Sequence, residues 1–159
     1  MKELFDLLLR KNITVATAES CTGGNIAAEF VSYPGISSVF LAGLVTYANS
    51  AKENILGVLP ETLENFGAVS AECADEMLAG CQNATGAQAC ICTTGIAGPG
   101  GGSAKKPVGL VYVGVRYKNK NTIKKCLFKG GREDVIKKAA QFALNLLLEI
   151  ILSEENDNG

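Results

Sequence analysis

Segments of helical and of extended period alternate from residue 1 to residue 95, and two consecutive extended runs follow. "MKELFDLLLRKN" carries an apolar face at helical spacing, and "ITVATAE" is a β-branched strand. Residues 22–32 read as a helix starting at Thr22, whose hydroxyl suits a cap, and "YPGISS" as a loop. "VFLAGLVTY" is a near-continuous apolar run, the pattern of a strand buried on both faces. "NSAKENILG" predicts a short helix capped by Asn49 and stopped by Gly57. "PETLENFG" adds a helical turn with Pro60 at its start. "SAECADEMLAGCQNATG" predicts a longer helix from a Ser70 cap, with Glu72 and Asp75 in its first turns. "AQACICTTG" is another buried strand. Beyond the glycine-rich "IAGPGGGSAKKPVG", the runs "LVYVGVRYK" and "TIKKCLFK" flank a turn, "NKN", suited to a hairpin. Residues 132–152 form a long last helix, and "SEENDNG" a frayed tail at 153–159.

Helices alternating with strands, followed by a hairpin, predict a three-layer α/β/α sandwich on a central mixed sheet, one domain over residues 1–152. The chain's 159 residues suffice for one core, and 47% apolar against 19% charged residues excludes a disordered chain. The formal net charge of −1 exerts no overall pull toward nucleic acid or membrane. "MKELFDLLLRK" has acidic residues within its apolar part and no small-residue cleavage site. "FALNLLLEIIL" is too short to span a bilayer and holds Asn145 and Glu149. A cytoplasmic protein is expected.

Open sheets of this kind bind ligands beyond the carboxyl ends of their strands. Three stretches fall there: "AESCTGG", "TYANSAK" and "TTGIAGPGGGS". The first sets two nucleophile types, Ser20 and Cys21, side by side where a strand hands over to a helix. A hydroxyl there is exposed at the top of the sheet, with the helix dipole and following N–H groups facing any developing negative charge. Backbone N–H groups near Gly23 or Gly95 are the expected holders of an oxyanion. The competing reading of the stretch is a capped helix and nothing more. The chain has no histidine, which excludes a Ser-His-Asp triad and a Cys-His dyad. A serine nucleophile then needs another base, and a lysine serves when burial lowers its pKa. Lys52 is the candidate, with Tyr47 before it at a strand end.

Six cysteines include no Cys-x-x-Cys pair and have no histidine to complete a mixed site, so no metal is expected. Cys90 and Cys92 lie two apart on one face of a strand, and Cys73 and Cys81 on a helix. They read as small buried hydrophobes. The glycine-rich segment fits no Walker A window, and Ser103 stands where a dinucleotide fingerprint needs its third glycine. It reads as a backbone-rich wall able to donate to a phosphate or ribose, or else as a mobile connection. Most basic residues fall between 116 and 138. Few aromatics interleave with them, so a hairpin guarding its exposed edge is favoured over a nucleic-acid patch. Arg132 differs, standing after "KGG" at the start of the last helix, where a guanidinium can fork onto a phosphate.

Together, "TAESCTGG", "VTYANSAKENILGV", "GAVSAECA", "TTGIAGPGGGSAKKPVGLVYVGV" and "GGREDVIKKAAQFAL" resemble, in order over residues 1–150, the CinA C-terminal domain family. That family includes a stand-alone nicotinamide mononucleotide deamidase. The resemblance implies hydrolysis of the carboxamide of nicotinamide mononucleotide to nicotinate mononucleotide and ammonia, in pyridine nucleotide salvage, without metal or other cofactor. It implies Ser20 as nucleophile, Lys52 as base and Tyr47 as an assisting residue. Thr22, Gly23, Thr94 and Gly95 would border the substrate, as would Gly98, Gly100, Gly101 and Ser103 of the glycine-rich loop, with Arg132 at its anionic end. The expected partner is a small anionic nucleotide, with a homo-oligomer of the chain and neither membrane nor nucleic acid. Where the family often has Asp in "GDR", this chain has Gly131. Larger CinA proteins carry an N-terminal domain; this chain resembles the stand-alone form. Two rival readings are a nucleotide-sensing module without turnover and an interaction protein in DNA uptake or repair.

Overall fold

The computed structural model describes residues 1–159. Its sheet runs in the order β2-β1-β3-β4-β5, with β1 (Val15–Glu19), β2 (Phe40–Val45) and β3 (Ala89–Gly95) parallel. β4 (Leu110–Tyr117) and β5 (Lys120–Leu127) follow antiparallel. Six α-helices cover the sheet: α1 (Lys2–Lys11), α2 (Asn25–Val31), α3 (Asn49–Leu56), α4 (Pro60–Phe66), α5 (Ala71–Thr85) and α6 (Arg132–Asp157). One apolar cluster joins Val15, Ile91, Val113 and Val115 to α1, α2 and α6. A second, on the opposite face, joins Ala16, Ala18, Cys90 and Cys92 to α5 and the end of α3. The three-layer sandwich on a mixed sheet is therefore the fold, and no helix is long and apolar enough to cross a membrane.

Strand order places the site. From β1 the chain steps to β2 on one side, while β3 pairs on the other, so the order reverses at β1. Crevices form beyond the strand ends at such a switch point. The loop from Ile96 to Gly109, which joins β3 to β4, begins at that same end of the sheet.

Side-chain capping by Ser70, the Pro60 start and the Gly57 stop are as the sequence predicts: Ser70 Oγ accepts the Cys73 N–H at 3.1 Å, and Gly57 has φ 71°. Several expectations need correction. β2 is an edge strand, not one buried on both faces, so Leu41 and Val45 are exposed. α2 begins at Asn25 behind Gly24 (φ 100°), and Thr22 does not cap it. α3 has Ala48 as its N-cap, and Asn49 is already helical. The hairpin turns at Lys118 and Asn119, both at positive φ, one residue earlier than "NKN". The last helix runs on through residue 157 instead of fraying at 153, with Glu154 and Glu155 ion-paired to Lys120 and Lys11, each at 3.2 Å. Five cysteines are buried, while Cys126 on edge strand β5 is half-exposed.

Candidate functional site

Backbone bonds stitch the carboxyl ends of the three parallel strands together. The Ser20 N–H donates to the Thr93 carbonyl at 3.0 Å, and the Thr46 N–H to the Glu19 carbonyl at 2.9 Å. Lys52 lies in the first turn of α3 and is 1% exposed. Its side chain returns toward the strand ends, so that Nζ stands 2.9 Å from each of Ser20 Oγ, the Thr46 carbonyl and the Tyr47 carbonyl. Burial pushes the Lys52 amine below the ordinary lysine range, against a smaller opposing pull from Cys73 and Cys21.

The three partners are not equivalent. Both carbonyls only accept, so they hold two N–H bonds of Lys52 in either protonation state. Ser20 alone carries a hydrogen of its own. When the amine is neutral, its lone pair is left facing the Ser20 hydroxyl, the arrangement of a base poised on a nucleophile. Ser20 itself is 7% exposed.

Cys21 turns the other way, into the cluster with Ile26 and Phe30. Burial pushes its thiol up to about 11. A thiol held protonated is a poor nucleophile.

Arg132 opens α6 and bridges two elements at the mouth. Nη1 donates to the Gly98 carbonyl at 2.6 Å, and Nη2 to the Tyr47 hydroxyl at 3.0 Å. Tyr47 is 58% exposed and joins two basic side chains, Lys52 through its carbonyl and Arg132 through its hydroxyl. Gly131 leaves the α6 N-cap without a side chain, and the Asp134 carboxylate accepts the Gly131 N–H at 3.0 Å.

Other expected contacts are already committed within the protein. Thr22 is fully buried, and its hydroxyl donates to Glu19 Oε1 at 2.7 Å, which corrects its place beside a substrate. The Gly23 N–H donates to the Ser20 carbonyl at 3.0 Å. The Thr94 hydroxyl is bound to the Ala68 carbonyl at 2.8 Å. A side chain at Gly95 would meet the Leu110 carbonyl oxygen and Val111 Cα at 2.6 and 2.7 Å, so that glycine admits β4. Gly100, Gly101 and Ser103 lie exposed in the loop, where Ser103 Oγ accepts the Lys106 N–H at 3.0 Å. In the turn after Ser20, the N–H groups of Cys21, Thr22 and Gly24 donate to no backbone carbonyl, and of these residues only Gly24 is partly exposed.

One residue escaped the sequence reading. Glu19 is fully buried; its Oε1 accepts the Ile26 N–H at 2.8 Å and its Oε2 the Ala27 N–H at 3.0 Å. It caps α2 from the end of β1 and fills the positive helix end that the sequence reserves for developing charge. A glutamate ending an otherwise apolar strand, just before a helix, is the signal that pointed to it.

A family model of the CinA C-terminal domain matches residues 1–151. A competence-damage inducible protein of Clostridium beijerinckii is 52% identical over 146 residues, covering 92% of this chain and 36% of the relative. One from Clostridioides difficile is 51% identical over 141 residues, covering 89% and 34%. The chain thus spans about a third of the length of these curated relatives. Among solved structures, competence damage-inducible protein A of Klebsiella pneumoniae superposes with TM-score 0.92 at 36% identity, covering 95% of this chain and 94% of that one. The competence/damage inducible protein of Agrobacterium tumefaciens gives 0.91 at 39% identity, covering 93% and 91%.

Proposed function

The chain belongs to the CinA C-terminal domain family, and we propose that it is a metal-independent amidohydrolase that converts nicotinamide mononucleotide to nicotinate mononucleotide and ammonia. The observation that carries this reading is the placement of buried Lys52, whose Nζ stands 2.9 Å from Ser20 Oγ and from the Thr46 and Tyr47 carbonyls. Ser20 Oγ attacks the carboxamide carbon and passes its proton to Lys52 Nζ. The resulting ammonium protonates the departing nitrogen, the C–N bond breaks, and ammonia leaves an ester on Ser20. Water, giving a proton to Lys52, then attacks that ester, and the proton returns to Ser20 as nicotinate mononucleotide departs. The Gly24 N–H, on a partly exposed residue of the turn and bonded to no backbone carbonyl, is the candidate oxyanion donor.

Arg132 spends two of its five N–H groups on Gly98 and Tyr47, and the others remain for the substrate phosphate. Gly98, Gly100 and Gly101 offer backbone to the ribose side. A homo-oligomer in the cytoplasm completes the reading. The test compares ammonia release from nicotinamide mononucleotide, nicotinamide riboside and nicotinamide, before and after exhaustive EDTA treatment. The mononucleotide is expected to react far faster than the other two, with no loss on chelation. Equal rates would remove the phosphate anchor, and loss restored by one divalent ion would end the Ser-Lys mechanism. Binding of the mononucleotide without ammonia would leave a nucleotide-binding module.

A further inference from the structure

We propose that Glu19 is the positioning residue of the nucleophile turn, an inference that rests on Ser20 being the nucleophile. Glu19 is fully buried, and the chain's ion pairs, Lys11–Glu155 and Lys120–Glu154, leave it without a cationic partner. An enclosed carboxylate of this kind is costly unless hydrogen bonds replace its water. Here three donors do so: the Thr22 hydroxyl, the Ile26 N–H and the Ala27 N–H. The chain continues beyond Glu19. The one hydrogen of the Thr22 hydroxyl goes to Glu19, so Thr93, 2.7 Å away, donates to Thr22. Thr93 also gives its carbonyl to the Ser20 N–H.

This network encloses the turn from both ends. Glu19 fastens its far side to the start of α2, and Thr93 fastens its near side to β3. Residues 20–24, which carry the nucleophile and the Gly24 N–H, are held between them. A serine or aspartate at the N-cap would stabilise α2 at far lower desolvation cost. The glutamate stands instead beside the nucleophile, and only from the strand end can one side chain fix the turn and the helix together. Its two oxygens also explain why glutamine is not equivalent. A glutamine oxygen can replace Oε1 toward Thr22 and Ile26, but its amide then points N–H at the N–H of Ala27.

The test uses the full chain and a serine-directed fluorophosphonate, which reports the reactivity of Ser20 whatever the natural substrate. Labelling is followed by intact mass, with Ser20→Ala as the site control, and folding by circular dichroism and melting temperature. Folded Glu19→Gln is expected to label at least about tenfold more slowly than wild type, the scale of a misplaced reacting group. Its ammonia release should lose kcat with KM little changed. Thr93→Val, nearly the same shape, should slow labelling by a smaller factor, and it decides the matter should Glu19→Gln fail to fold. Wild-type labelling in the folded variants, with only the melting temperature lowered, would reduce Glu19 to a helix cap and overturn the proposal. Ser20 labelled in wild type without ammonia release would sink the deamidase reading while leaving this comparison intact. No labelling of wild-type Ser20 would remove the nucleophile and the proposal with it.

Discussion

The Arg132 guanidinium donates to the Tyr47 hydroxyl at 3.0 Å, joining the first turn of α6 to the end of β2 over a separation of 85 residues. The same guanidinium holds the Gly98 carbonyl, so one side chain ties the glycine-rich loop to the far wall of the site. Lysine keeps the charge but lacks the planar fork that reaches both partners. Arg132→Lys and Tyr47→Phe are each expected to lower kcat/KM. The double variant should fall short of the sum by about 0.5 kcal/mol or more, as residues in one network do. A double-mutant cycle on ammonia release measures this, and strict additivity would show that the bridge plays no part.

Ser20 and Cys21 give a direct contrast. Ser20→Ala is expected to abolish turnover, since no other hydroxyl lies on Lys52 Nζ. Cys21→Ala should keep most of it and lose about 1 kcal/mol of stability for the small cavity left in the core. Full activity in Ser20→Ala beside a dead, folded Cys21→Ala would reverse the assignment.

How far the sequence disclosed these relations depends on where each signal resides. Periodicity and turn residues are local, so the alternation of elements, the Ser70 cap and the hairpin were legible. The strand-end positions of Ser20 and Tyr47, and that of Lys52 in the helix after β2, followed from the alternation alone. Edge or centre is a property of strand order, which no local pattern encodes; the apolar run of β2 therefore reads as buried although Leu41 and Val45 are exposed. Thr22 was misplaced for a related reason. Its hydroxyl has a local cap position within reach, but a buried carboxylate is the stronger acceptor, and Glu19 takes both the hydroxyl and the helix N–H groups. The commitment of Thr94 to Ala68 rests on the packing of the α4–α5 loop and has no signature in "TTG".

Gly80 sets the depth at which α3, and with it Lys52, seats on α5. A Cβ at Gly80 would stand 1.9 Å from the Leu56 carbonyl oxygen, which is backbone and has no rotamer to yield. Gly→Ala in a helix interior otherwise gains about 1 kcal/mol of propensity. Overpacking costs typically about 1–3 kcal/mol, and a backbone clash lies at the severe end. Gly80→Ala is therefore expected to be net destabilising in urea titration, with activity reduced as α3 shifts. A stabilised, fully active variant would show that α3 has slack.

Lys52 has two separable signatures. As a base, it cannot be replaced by arginine, which keeps the charge but holds its proton at working pH. Lys52→Arg is expected to be nearly as inactive as Lys52→Ala, by about a hundredfold or more. Mononucleotide binding is measured alongside to expose steric blocking, and normal binding with near wild-type turnover would make Lys52 a fixed charge instead. The second signature is thermodynamic. Burial lowers the Lys52 pKa in the folded protein, so between that value and about 10.4 the unfolded chain binds the extra proton. Below the folded value the amine is charged in both states and the full cost of burying it falls on the native one. Wild-type stability should therefore gain on that of Lys52→Met as pH rises through this window and level off above it. The thiols of Cys21 and Cys73, both raised to about 11, contribute an opposite slope above about 8.5. Lys52 itself lowers both thiols, so the difference between the two urea-unfolding series isolates the lysine below about 8.5, where the thiols stay protonated in both states. A difference that stays flat with pH would mean that Lys52 titrates as a free lysine, and a base poised on Ser20 at neutral pH would then be lost.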